Sequence, residues 1–213
     1  MVKRILSFML LILFALSACG NDNNHYDAIG SIIQFGEYDW RVLDVDGNYA
    51  LVITENVISY RPYHPARADI MAWEMSGIRG YLNNIFYNTF SEQDRARIRE
   101  TYVIDNHNRF WGRAGDNTYD KIFLLSIEEV VRYFSDSGQL QYRPSRIYDH
   151  YNSARIAKNA NGTASVWWLR STGSFGAYTT VVNSDGIIDL IGRYVRLGIG
   201  GGVRPALWLN LEY

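Results

Sequence analysis

The chain has 213 residues, 47% of them hydrophobic and 15% aromatic, with 21 basic against 22 acidic side chains and a formal charge of −1. That length suits one sizeable domain with a packed core, and the charge balance argues against nucleic acid as a partner, which calls for a clear basic excess. A single cysteine, Cys19, excludes disulfides within the chain, so stability has to come from packing.

The first element is a targeting segment. Lys3 and Arg4 precede the almost wholly apolar run from Ile5 to Leu16, too short for a membrane span, and small residues lead into Cys19. Residues 1–18 read as a secretory signal peptide. The ending Leu16-Ser17-Ala18-Cys19 resembles the lipobox of bacterial lipoproteins, which implies that Cys19 is acylated and becomes the mature N-terminus. The expected location is then the cell membrane, on its extracytoplasmic face, with the lipid on Cys19 as the membrane contact. Residues 19–28 are small and polar and read as a flexible tether. Residues 29–213 form the single folded domain.

Within that domain Ile32, Ile33 and Phe35 predict a strand. Trp40 to Val45 and Ala50 to Thr54 predict a hairpin turned at Asp46-Gly47. Residues 59–74, with Pro62 and Pro65, read as a loop. Apolar positions Ile78, Tyr81, Leu82, Ile85 and Phe86 recur at three- and four-residue spacing, which predicts an amphipathic helix from Gly77 to Phe90. Ser91 caps a second helix to Arg99. A strand at Tyr102 to Ile104 precedes a polar, aromatic loop, Asp105 to Tyr119. Lys121 to Leu125 predicts a strand. Ser126 and Glu129 match a capping box that opens a helix over Ile127 to Phe134. Residues 135–152 read as irregular, and Ser153 to Lys158 as a helical turn. Strands follow at Ser165 to Arg170, Ala177 to Val182 and Ile187 to Ile191, the last two joined at Asp185-Gly186. A Gly-rich loop, Gly198 to Gly202, precedes the closing strand from Val203 to Leu211. Strands at both ends with two to three helices between them predict an α+β domain.

The block Trp167-Trp168-Leu169-Arg170-Ser171, then Asp185-Gly186, then Gly202-Val203-Arg204-Pro205-Ala206-Leu207 resembles a family catalogued as a domain of unknown function in exported proteins of gut Firmicutes. Ile33-Gln34-Phe35-Gly36, Trp40-Arg41-Val42-Leu43 and residues 120–131 share the resemblance. More distantly, a Trp-rich strand, an Asp-Gly hairpin and a Val-Arg-Pro ending resemble C-type-lectin-like folds, the group that includes formylglycine-generating enzymes and retroelement-diversified binding proteins. This resemblance implies a scaffold that displays ligand-binding residues from its C-terminal half: Phe175, Tyr178, Tyr194 and Arg196, with Trp111 nearby. The calcium-dependent sugar-binding tripeptides of C-type lectins are absent from the sequence, as are the catalytic cysteines of the formylglycine enzymes.

Reactive chemistry finds little support. Cys19 is taken as an anchor, and Gly173-Ser174-Phe175-Gly176 has the wrong spacing for a nucleophile elbow. His25, His64, His107 and His150 lack metal-ligand spacing. Asp44, Asp46 and Asn48 mimic a calcium loop, but Tyr49 occupies the place of its glycine. Neither metal nor other cofactor is expected, and no catalytic residue is assigned. Arg41, Arg170 and Arg204 sit in apolar, strand-like stretches. They call for carboxylates, rings or solvent, and an acidic ligand is the lesser alternative. Trp167 and Trp168 should face opposite sides of a strand, one in the core and one under a loop or at the surface. The expected function is a surface-tethered module that binds an extracellular protein or glycan. The alternatives are a glycan or cell-wall hydrolase using two of Glu55, Glu74, Asp105, Asp116 and Asp120, and a structural envelope protein.

Overall fold

Asp46-Gly47 turns the hairpin that pairs Tyr38–Asp46 with Tyr49–Thr54, with Gly47 at a φ of 57° that suits glycine. The computed structural model describes residues 28–66, 71–105, 115–196 and 201–212. In chain order the strands are β1 (Ile32–Phe35), β2 (Tyr38–Asp46), β3 (Tyr49–Thr54), β4 (Ser59–Arg61), β5 (Ile98–Arg99), β6 (Thr101–Val103), β7 (Thr118–Asp120), β8 (Arg146–Ile147), β9 (Ala157–Lys158), β10 (Ala164–Ser165), β11 (Trp167–Thr172), β12 (Tyr178–Val182), β13 (Ile188–Tyr194), β14 (Gly201–Val203) and β15 (Ala206–Asn210). The helices are short: α1 (Gly77–Gly80), α2 (Glu92–Arg97), α3 (Ile127–Phe134) and α4 (Asn152–Arg155). At 23% helix and 38% strand the domain is α+β and mostly β.

Two sheets carry the core. One is five-stranded in the order β1-β2-β3-β15-β5, antiparallel throughout. The other is six-stranded in the order β4-β14-β11-β12-β13-β8, with β11 and β14 parallel. The chain passes from the second sheet to the first between β14 and β15, at Arg204-Pro205. Proline has no N–H to lose at such a crossing, and its carbonyl accepts the Thr54 N–H at 3.0 Å. The C-terminal strand thus pairs with the N-terminal hairpin. Leu207 lies opposite Val52 and Trp208 opposite Leu51.

One hydrophobic cluster joins both sheets. In β2 a bulge between Val42 and Asp44 breaks the alternation, so adjacent Val42 and Leu43 are both buried. Trp167 and Trp168 are both fully buried, so neither shows at the surface. Both faces of β11 are covered: the indole of Trp167 donates to the Arg155 carbonyl, and that of Trp168 to the Arg61 carbonyl. Gly201 lies flat on the Trp168 ring, where an added Cβ would come within 2.5 Å of it. Gly201 and Gly202 therefore belong to β14, and are not loop as their composition predicts.

The helix expected from Gly77 to Phe90 is a composite. α1 runs into a π-helical turn over Tyr81–Phe86 and a 3-10 turn over Tyr87–Thr89. The extra residue per π turn still buries Ile78, Leu82 and Phe86. α2 stops two residues early because Ile98 and Arg99 pair with β15. The expected strand from Lys121 to Leu125 has no ladder. It is buried and extended, held by a single bridge between Phe123 and Ala206 and by the Arg170 N–H on the Leu125 carbonyl. The expected loop over residues 59–74 contains β4 and a 3-10 turn at Trp73–Met75.

Candidate functional site

The end of the second sheet carries the aromatic residues singled out above. β12 begins at Tyr178 and β13 ends at Tyr194, and the two stand directly opposite each other in register. Their rings meet edge-on with centroids 6.0 Å apart, an arrangement that favours cross-strand aromatic pairs. Phe175, in the turn before β12, packs edge-on against Tyr178 at 5.4 Å. The Tyr178 N–H bonds back to its carbonyl at 2.9 Å, which fixes the turn. The tyrosines are half-buried, whereas Phe175 is 63% exposed. Arg196 is exposed just beyond β13. The structure thus brings Phe175, Tyr178 and Tyr194 into one continuous row of rings. Trp111 and Cys19 lie outside the described residues.

This row sits on firm ground. Gly192, at a φ of 85°, forms the bulge in β13 and lies against the Thr179 carbonyl, leaving no room for a side chain. Thr179 and Thr180 are fully buried and donate to the carbonyls of Leu169 and Ser171 at 2.9–3.0 Å. Side chains on such a base lose little freedom when a ligand arrives.

The three arginines take different partners. Arg41 holds Glu55 through two bonds of 2.8 and 2.6 Å. Arg170, 4% exposed, grips both oxygens of Glu129 and the carbonyl of Leu124. Glu129 also closes the capping box of α3. Arg204 lies over the rings of Trp167 and Phe134 at 4.9 and 5.4 Å and donates one bond, to the Thr54 carbonyl.

Of the candidate acids, Glu74 and Asp105 stand close together, whereas Glu55 and Asp120 are each tied to an arginine. Glu55 is held by Arg41. Asp120 accepts from Trp73, Arg79 and Thr118. Glu74 and Asp105 flank Gly115 and accept the N–H groups of Asp116 and Gly115 respectively. These bonds anchor the end of the segment that follows Asp105. Burial raises the Asp105 carboxyl above its ordinary range, partly offset by the Gly115 N–H and the Arg170 charge. Among the described residues no three His, Cys, Asp or Glu side chains gather as metal ligands, and no helix is long and apolar enough to cross a membrane.

Sequence reasoning did not single out a second exposed aromatic pair, Tyr102 on β6 opposite Tyr119 on β7, with centroids 5.0 Å apart. The signal was available: each ring occupies the middle, outward position of a three-residue strand. Arg155 was missed too. It is fully buried and bound to Asp149 at 3.0 Å and Asn152 at 3.1 Å.

The domain is thus mixed and mostly β, with an aromatic row at one end of its second sheet. The sequence profile described as Domain of unknown function (DUF6273) matches residues 47–211, and the chain belongs to that family. No curated protein and no solved structure matches it.

Proposed function

We propose that this chain is a lipid-tethered binding module on the extracytoplasmic face of the membrane. The row Phe175–Tyr178–Tyr194, with Arg196 beside it, is its contact surface for an extracellular protein or glycan. The observation that carries the reading is the continuous ring packing in which one exposed phenylalanine rests on two half-buried tyrosines. Large rings of this kind give much contact area for few lost rotamers, and arginine adds charged hydrogen bonding at the margin. The segment ending at Cys19 supports the tether, and a C-type-lectin-like fold is part of the same proposal. It is supported by the Trp-rich β11, the Asp-Gly turn before β13 and the C-terminal strand returning to the N-terminal hairpin.

The test is a glycan and protein array probed with the full-length chain in non-ionic detergent, alongside Phe175→Ala and Tyr194→Ala. Capture that weakens about 30-fold in either variant, the order expected for a hot-spot residue, supports the proposal. Capture unchanged in both variants overturns it. Turnover of an arrayed glycan that disappears in Asp105→Asn would instead favour the hydrolase.

A further inference from the structure

A second site lies away from the aromatic row and does not depend on it. A hollow of about 460 Å³ opens between β2, the C-terminal end of α3 and the α4 turn, with Ile29 and Gly30 forming one wall. That volume is in the range of small-molecule sites.

Its charge pattern is unusual. Arg41 and Glu55 both line it, but they neutralise each other. Arg204 also lines it and is 1% exposed. Its Nε donates to the Thr54 carbonyl at 2.8 Å, while its buried Nη1 has no hydrogen-bond partner. Two aromatic faces accommodate the flat guanidinium, yet the charge has no carboxylate. A buried cation left in this state is costly unless something completes it. Burial, with the like charge of Arg41 adding to it, pulls the Arg204 pKa down to about 10, and Glu55 only partly restores it. Arg204 therefore remains charged at neutral pH.

A separate feature marks the same hollow. Ser135, at the end of α3, lines it with φ 65° and ψ 161°, a conformation almost confined to glycine. It is held there because the buried Arg155 donates to its carbonyl. Strain kept in place by a buried arginine, next to a buried arginine with an unpaired Nη1 and no carboxylate, is the pattern of a shaped site and not of a packing fault.

We infer that this hollow binds a small organic carboxylate, its carboxyl group taken by Arg204 and its body lying against Val42, Leu43, Tyr133 and Ile156. One net positive charge calls for a monoanion. The planar guanidinium fork matches a carboxylate, and the apolar part of the lining asks for a hydrocarbon body.

The test uses the full-length chain in non-ionic detergent with four probes: 3-phenylpropionate, hexanoate, the neutral 3-phenylpropanamide and inorganic phosphate. Binding is read by titration calorimetry and by the shift in melting temperature. Saturable binding of at least one acid is expected. The amide should bind tenfold or more weakly than its acid, and Arg204→Met should lose about the same factor, the order of one charge-assisted hydrogen bond. Since Arg204→Met alters the crossing between the sheets, Ala154→Phe on the exposed rim supplies an independent block and should abolish binding with the melting temperature of the free chain kept. Equal binding of acid and amide, binding of neither acid, phosphate binding in preference to both acids, or full binding by Ala154→Phe would each overturn the inference.

Discussion

Asp105 buries a carboxylate to 4% exposure with the backbone N–H groups of Gly115 and Trp73 and the Arg170 charge as its compensation. Its folded pKa is raised, so the native state binds the proton more tightly than the unfolded chain, and ionisation costs stability as pH rises through the carboxylate range. Asp105→Asn keeps an acceptor for Gly115 and removes that cost. Urea unfolding should show the difference between variant and parent moving in the variant's favour from pH 3 to pH 7. No change across that range would mean the carboxylate is compensated after all. Asp149 behaves in the opposite sense. Burial alone would raise it, but the Arg155 hydrogen bond and the N–H groups of Ser137 and Tyr151 outweigh burial and hold it low. Its contribution is present above the ordinary carboxylate pKa and is lost as pH falls through the lowered one. Asp149→Asn should cost about 3 kcal/mol at neutral pH, because it leaves the buried Arg155 charge without its carboxylate, and progressively less as pH falls below the ordinary carboxylate range. Neither behaviour was legible in the sequence: that of Asp105 depends on its burial in the folded domain, and that of Asp149 on a turn geometry that brings Ser137, Tyr151 and Arg155 onto one carboxylate. What was legible were the needs: Arg41, Arg170 and Arg204 each required a partner, and the structure supplies Glu55, Glu129 and two aromatic rings.

At the scale of elements, the readings that depend on neighbours in sequence fare best. Ser126 and Glu129 form the capping box as spaced, with both bonds present. Ser126→Ala should cost about 1 kcal/mol, seen as a fall of a few degrees in melting temperature. Glu129→Gln should cost more, because the same carboxylate also neutralises Arg170. Equal losses would show that the two roles are not shared. Gly201 is the reverse case. Its glycine-rich setting predicts a loop, whereas the cause of the glycine is Trp168, thirty-three positions earlier, which fills the space a side chain would take. Gly201→Ala should cost about 1–3 kcal/mol through overpacking, measurable by the same unfolding assay. Lys121 to Leu125 has the composition of a strand, yet what makes a ladder is a neighbour with free backbone groups, and here only Phe123 finds one.

For the whole molecule, the α+β class followed from strands clustered at the two termini with helices between them. The strand order did not. Nothing in a linear sequence states that β14 lies parallel to β11, or that the chain changes sheets at Arg204-Pro205. Of the expected contact residues, three of the described four meet in one row, and Arg196 stands exposed beside its end. The aromatic pair Tyr102–Tyr119 offers a competing surface on the same molecule, and Tyr142 and Tyr148 are exposed at 77% and 70%. These rings make the decisive measurement internally controlled. Hydroxyl-radical footprinting of the full-length chain, alone and with the molecule it captures, should show protection of Phe175, Tyr178 and Tyr194 while Tyr102, Tyr119, Tyr142 and Tyr148 keep their reactivity. Protection confined to the latter group, with Phe175 as reactive in the complex as in the free chain, would contradict the account.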